Sequence, residues 1–155
     1  MKLVIHIDGG ARGNPGEAGF GVHVAGESGE SAATLYGYLG IQTNNVAEYA
    51  ALIVALRHAI DSGASSVLIR SDSELLVRQM EGRYKVKSPG LLPLHREASR
   101  LASRVPKLRI EHVPRARNKE ADALANQAMD TRADSPAGIG AGLPLPQPAG
   151  LPGRA

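Results

Sequence analysis

The spacing of apolar residues changes once along this chain, near residue 43, and that change confines it to a small set of folds. Upstream, three stretches read as strands: Lys2–Asp8, Gly19–Ala25 and Ala33–Ile41, the last after a turn rich in Gly, Ser and Glu. Strands joined by such short turns pair antiparallel. Downstream, Val46, Ala50, Ile53, Val54 and Ile60 recur at helical spacing over Val46–Asp61, and Gly63 supplies a stop. Val67–Ile69 reads as a short buried strand ending at Ser71-Asp72. Helices are expected over Ser73–Met80 and Leu91–Val105, a fifth strand over Leu108–Val113, and an Ala-rich helix over Asn118–Met129. The order is three strands, a helix, a strand, two helices, a strand and a helix. It implies an α/β fold with a five-stranded mixed sheet, in which three antiparallel strands precede βαβ units and helices cover the faces.

A chain of 155 residues suits one domain. The composition shifts after about Asp130, and Ser135–Ala155 is rich in Pro, Gly and Ala with little charge. The expected organisation is therefore a folded body over residues 1–130 and a disordered tail or linker over 131–155. The net charge of +3 and pI of 9.4 are compatible with a polyanionic partner. There is no Cys, which excludes disulfides and thiolate metal sites and fits a reducing compartment. No leader-like or membrane-length apolar run occurs, so a cytoplasmic protein without a membrane partner is expected. Aromatic residues make up 3% of the chain and Trp is absent, so any surface for stacking bases is small.

Four acids stand at the junctions of this scheme. Asp8 ends the first strand, Glu48 lies in the first turn of the first helix, Asp72 ends the fourth strand, and Asp122 falls in the first turns of the last helix. Ligand sites in open sheets of this kind form beyond the carboxyl ends of strands. Four carboxylates gathered there would repel and raise one another's pKa. A hard divalent cation such as Mg²⁺ would relieve that conflict. Each acid also has a local explanation. Asp8-Gly9 suits a turn, Glu48 completes a capping box with Asn45, Asp72 caps the helix that follows, and Asp122 is a solvated helix acid. Taken singly the acids decide nothing; it is the joint pattern that points to a site.

The blocks carrying these acids are IDGGARGNPGEAGFG, TNNVAEYAALIVAL, IRSDSELLVRQM and HVPRARNKEADALANQAM. In that order, over about residues 1–130, they resemble type 1 ribonuclease H. The resemblance implies the ribonuclease H-like fold and endonucleolytic cutting of the RNA strand of an RNA–DNA hybrid, leaving 5′-phosphate and 3′-hydroxyl ends. It makes Asp8, Glu48, Asp72 and Asp122 the catalytic, metal-binding acids for two Mg²⁺ ions, with Mn²⁺ as a substitute and Asp8 bridging both. Substrate contacts are implied for Gly9, where backbones approach closely, for Asn14 on the DNA strand, and for Thr43, Asn44 and Asn45. Asn14 also reads as a turn residue, and Asn45 as a helix cap.

Two departures from the family pattern stand out. Arg115 takes the place of a loop His found in many relatives, which implies an auxiliary catalytic role; His112 reads as a strand residue. The basic, Trp-containing protrusion of some bacterial members is reduced to Gly82–Pro89. There Tyr84 and Lys85 are candidate substrate contacts, although the segment also reads as a solvated basic loop. A monomer is expected. The alternative is another nuclease of the same fold acting on double-stranded RNA or DNA.

Overall fold

A computed structural model describes residues 1–147. The elements follow the expected order: β1 (Lys2–Gly13), β2 (Gly16–Gly26), β3 (Ser31–Gln42), α1 (Asn44–Asp61), β4 (Ser66–Ser71), α2 (Glu74–Met80), α3 (Leu92–Ala102), β5 (Lys107–His112) and α4 (Lys119–Thr131), with a 3₁₀ turn over Arg115–Arg117. The sheet runs β3-β2-β1-β4-β5. β1, β2 and β3 pair antiparallel, and β1–β4 and β4–β5 pair parallel. This is the five-stranded mixed sheet that the period change implies.

α1 is buried along almost its whole length, from Val46 to Leu56. A helix apolar all round must lie between layers, and α1 packs on β1 and β2 below and on α3 beside it. Tyr49, 1% exposed, donates its hydroxyl to Gln79 Oε1 at 2.7 Å, so its polar end is satisfied inside the core. α4 covers the opposite face, chiefly over β2.

The first strand is longer than its apolar run. β1 continues through Gly9, Gly10, Ala11 and Arg12 to Gly13, paired residue by residue with β2 as far as Gly13–Gly16. The glycines that read as a turn are strand residues whose missing side chains make room for helices. Asp8 therefore ends only the parallel part of β1: pairing with β4 stops at Ile7–Ser71. Asp8 and Asp72 each follow the last pair, which sets them side by side.

The capping assignments also change. Thr43, not Asn45, caps α1, with Oγ1 accepting from the Val46 N–H at 3.2 Å, so Glu48 lies beyond the first turn and takes no part in a capping box. Ser73, not Asp72, caps α2. Both acids are thereby left without a capping role.

The expectation of a disordered tail does not hold for Asp134–Pro146. Ser135 exchanges backbone hydrogen bonds with Tyr36, Asp134 accepts from the Tyr38 N–H at 2.9 Å, and Gln42 Nε2 donates to Pro146 O at 3.1 Å. Ile139, Leu143 and Leu145 pack against the core. Those three apolar side chains hold an otherwise Pro- and Gly-rich stretch in place. The part of the tail over residues 148–155 lies outside the described residues.

Candidate active site

A cleft of about 500 Å³ opens at the carboxyl end of the β1–β4 pair. Asp8, Glu48, Asp72 and Asp122 all line it. Each of Asp8, Glu48 and Asp72 offers a carboxylate oxygen, and these three atoms lie within 4.8 Å of one another. Asp122 stands outside that tight group, yet its carboxylate is near enough to help raise the Asp8 pKa.

Local structure explains the convergence. Asp8 and Asp72 each directly follow the last paired residue, Ile7 and Ser71, of neighbouring parallel strands. Glu48 reaches them because α1 lies almost on the β1 backbone: a Cβ at Gly9 would overlap the Ala47 carbonyl and the Glu48 nitrogen. The Gly9 N–H donates to Glu48 Oε1, which fixes the carboxylate over the strand. Asp122 comes from the opposite face, on α4.

The charges are poorly compensated. Asp8 is 9% exposed and Glu48 6%. Burial, then the neighbouring Asp72 charge and the Asp122 contact, push Asp8 up to about 7. Burial, then Asp8 and Asp72, push Glu48 well above the usual carboxylate range. Glu48 Oε2 is buried with no hydrogen-bond partner. A buried anionic oxygen without a partner is costly, and this one belongs to a carboxylate crowded by two further acids.

The other predicted residues divide into two groups. Gly9, Asn44, Asn45 and Arg115 line the cleft. Arg115 Nη2 stands 3.9 Å from Asp122 Oδ1, on a side chain 84% exposed. Asn14, Thr43, Tyr84 and Lys85 do not line it. Asn14 sits just behind the rim, where its Oδ1 accepts from the Asn44 N–H at 3.0 Å, while Asn44 Oδ1 accepts from the Ala11 N–H at 2.7 Å. These two bonds tie the β1–β2 hairpin to the start of α1. Tyr84 is 50% exposed in the segment after α2. Arg12, Ser73 and Asn126 also line the cleft, outside the residues that the sequence motifs point to. Arg12 shares Asp8's side of an extended strand at a spacing of four, a signal hidden while the strand was ended at Asp8. Asn126 follows Asp122 by one helical turn.

A family profile described as Reverse transcriptase-like matches residues 6–128. The chain is 49% identical over 138 residues to the Bifunctional protein Rv2228c of Mycobacterium tuberculosis, covering 88% of this chain and 38% of that protein, so it spans well under half the length of that relative. Its fold superposes on ribonuclease H1 from the archaeon Halobacterium salinarum with a TM-score of 0.81 at 39% identity, covering 84% of this chain and 99% of that one. It also superposes on LC11-RNase H1, solved in complex with an RNA/DNA hybrid, with a TM-score of 0.79 at 44% identity, over 84% and 98% of the two chains. With the acid-bearing blocks, the strand order and near-complete coverage of these solved domains in agreement, this chain belongs to the ribonuclease H1 family.

Proposed function

We propose that this chain is a metal-dependent endoribonuclease that hydrolyses the RNA strand of RNA–DNA hybrids and leaves 5′-phosphate and 3′-hydroxyl ends. The observation that supports this most is the set of three crowded carboxylates, two of them buried. The donors are all carboxylate oxygens, and the Glu48 carboxylate has one oxygen, Oε2, buried without a partner. That chemistry suits a hard cation such as Mg²⁺. Two Mg²⁺ ions, or Mn²⁺ as substitutes, would be held by Asp8, Glu48, Asp72 and Asp122, and when bound would acidify the attacking water and offset charge on the departing 3′ oxygen.

The chain's own residues supply placement. Asp8 stands on a paired strand, Glu48 on a buried helix and Asp72 directly after a paired strand, so little motion is left to freeze out when substrate binds. Gly9 exposes its backbone to the cleft, and at Gly10 the missing side chain leaves space there, which admits a nucleic-acid backbone closely. Asn44 and Asn45 present amides at the rim, where they would read the hybrid's sugar edges; a ribose 2′-hydroxyl there distinguishes RNA from DNA. Asn14 and Thr43, behind the rim, would take a DNA-strand phosphate. Tyr84 and Lys85 would contact the hybrid farther out. The proposed partner is the hybrid itself, met by a single copy of the chain.

A cleavage assay with end-labelled RNA–DNA hybrid, double-stranded RNA and double-stranded DNA tests this reading. Cutting confined to the RNA of the hybrid is expected. Comparable cutting of either homoduplex would favour a different nuclease of the same fold.

Arg115 cannot act as a neutral base near pH 7, but beside Asp122 it can neutralise a phosphate. Arg115→Ala is expected to slow turnover roughly tenfold while leaving KM for the hybrid and the Mg²⁺ requirement near their original values. Unchanged turnover at saturating hybrid would count against that role.

A further inference from the structure

Asp122 is carried by a helix whose contact with the sheet is nearly featureless. α4 presents buried Ala121, Ala125 and Ala128 to β2 at Gly19 and Gly21. A Cβ at Gly21 would overlap the Ala121 carbonyl and come within 2.6 Å of Leu124 Cβ; one at Gly19 would lie 3.0 Å from Met129 Cγ and 3.1 Å from Ala128 Cβ. Alanine against glycine permits this close approach. It also offers few ridges and grooves to fix the helix along its axis. Something else must set the distance from Asp122 to Asp8.

Polar bonds at the two ends of the contact can do so. At the start, Asn118 is fully buried, and its Nδ2 donates to Ile7 O at 2.8 Å, the carbonyl just before Asp8. Farther along, Arg12 of β1 reaches Asn126 Oδ1 at 3.2 Å and Asp130 Oδ1 at 2.6 Å. With its amide oxygen engaged by Arg12, Asn126 turns its Nδ2 to Asp122, 3.1 Å from the carbonyl and 3.4 Å from carboxylate Oδ2. Asp122 is thus bracketed by one clamp on each side.

We infer that Asn118 and the Arg12–Asn126 pair are positioning residues that register α4 on β1 and hold Asp122 opposite Asp8 in the cation site. The inference rests on the proposed metal-dependent reading, but its main readout needs no substrate. Arg12 has one competing role, direct contact with a substrate phosphate, because it lines the same cleft. The two roles predict different results.

The test compares Arg12→Ala, Asn126→Ala and the double variant with the unaltered chain. The Arg12–Asp130 pair is exposed, so the folded state should survive its loss. Thermal unfolding is followed as Mg²⁺ is added, and kcat and KM are measured on the hybrid. The Mg²⁺ concentration giving half of the thermal shift is expected to rise about tenfold in each single variant. The double variant should be no worse than the worse single, because the pair acts as a unit. kcat should fall while KM stays within about twofold. Asn118→Leu, which is of similar size, uncharged and without a donor, should move the Mg²⁺ midpoint the same way. An unchanged midpoint in both single variants overturns the inference. So does an Arg12→Ala chain whose KM rises while its midpoint stays put, the behaviour of a phosphate contact. If the unaltered chain binds Mg²⁺ yet cuts no hybrid, the substrate reading fails and the thermal arm still decides the clamp.

Discussion

Replacing Asp8 with Asn is expected to reduce hybrid cleavage on the order of a thousandfold or more and, at the same time, to raise the unfolding temperature of the metal-free protein. The two effects have one cause. Asp8 is the acid in contact or charge interaction with Glu48, Asp72 and Asp122 together. With its carboxyl raised from 3.8 to about 7 in the folded state, the native protein binds more protons than the unfolded chain between those values. Stability of the metal-free protein must then fall as pH rises from about 4 through 7, and the loss from this group is at most about 4 kcal/mol. The neutral amide removes that loss and much of the repulsion on Glu48. Thermal unfolding in EDTA between pH 5 and 8 checks it: the unaltered chain should lose stability with rising pH, and Asp8→Asn should lose less. A variant less stable than the original above pH 7 would show that the acids are not in conflict.

The second large effect concerns packing. Gly9→Ala should destabilise the protein by about 3 kcal/mol and lower its unfolding temperature by roughly 10 °C. The added methyl has nowhere to go, since the atoms it would meet are the backbone of Ala47 and Glu48 rather than a movable side chain. α1 would have to lift from β1, carrying Glu48 away from Asp8 and weakening the Gly9–Glu48 hydrogen bond. Gly10→Ala provides the contrast. The nearest atom to its Cβ is Asn44 Oδ1 at 3.9 Å, so its unfolding temperature should stay close to the original. Equal losses in the two variants would mean that strand glycines are costly to replace for general reasons, not because a helix rests on Gly9.

What could be read from the sequence followed the strength of local signals. The element order was legible because apolar residues kept a clear period, as in α1, and the four acids stood where those elements began or ended. The extension of β1 was hidden because glycine disfavours strands by propensity. Here it is kept by tertiary contact, with α1 pressing on Gly9 and α4 on Gly19 and Gly21. A strand that stops with the apolar run leaves Arg12 outside the site. The caps moved to Thr43 and Ser73 because neighbouring polar residues compete for one position, and only backbone geometry selects among them. The composition of Asp134–Pro146 resembles a linker, and what docks it, three spaced apolar residues and hydrogen bonds to Tyr36, Tyr38 and Gln42, depends on partners distant in the chain. The Asn118 bond joins residues 111 positions apart, which no local pattern reveals.

The account depends on crowded carboxylates that become stable only when a divalent cation joins them. Calorimetric titration of Mg²⁺ into the substrate-free protein at pH 6.5, repeated in two buffers of different ionisation heat, addresses this directly. A cation entering a site where Asp8 titrates near 7 must displace protons. The prediction is saturable binding whose heat depends on the buffer, with the buffer dependence greatly reduced in Asp8→Asn. No saturable heat, or binding that releases no protons in the unaltered chain, would contradict it.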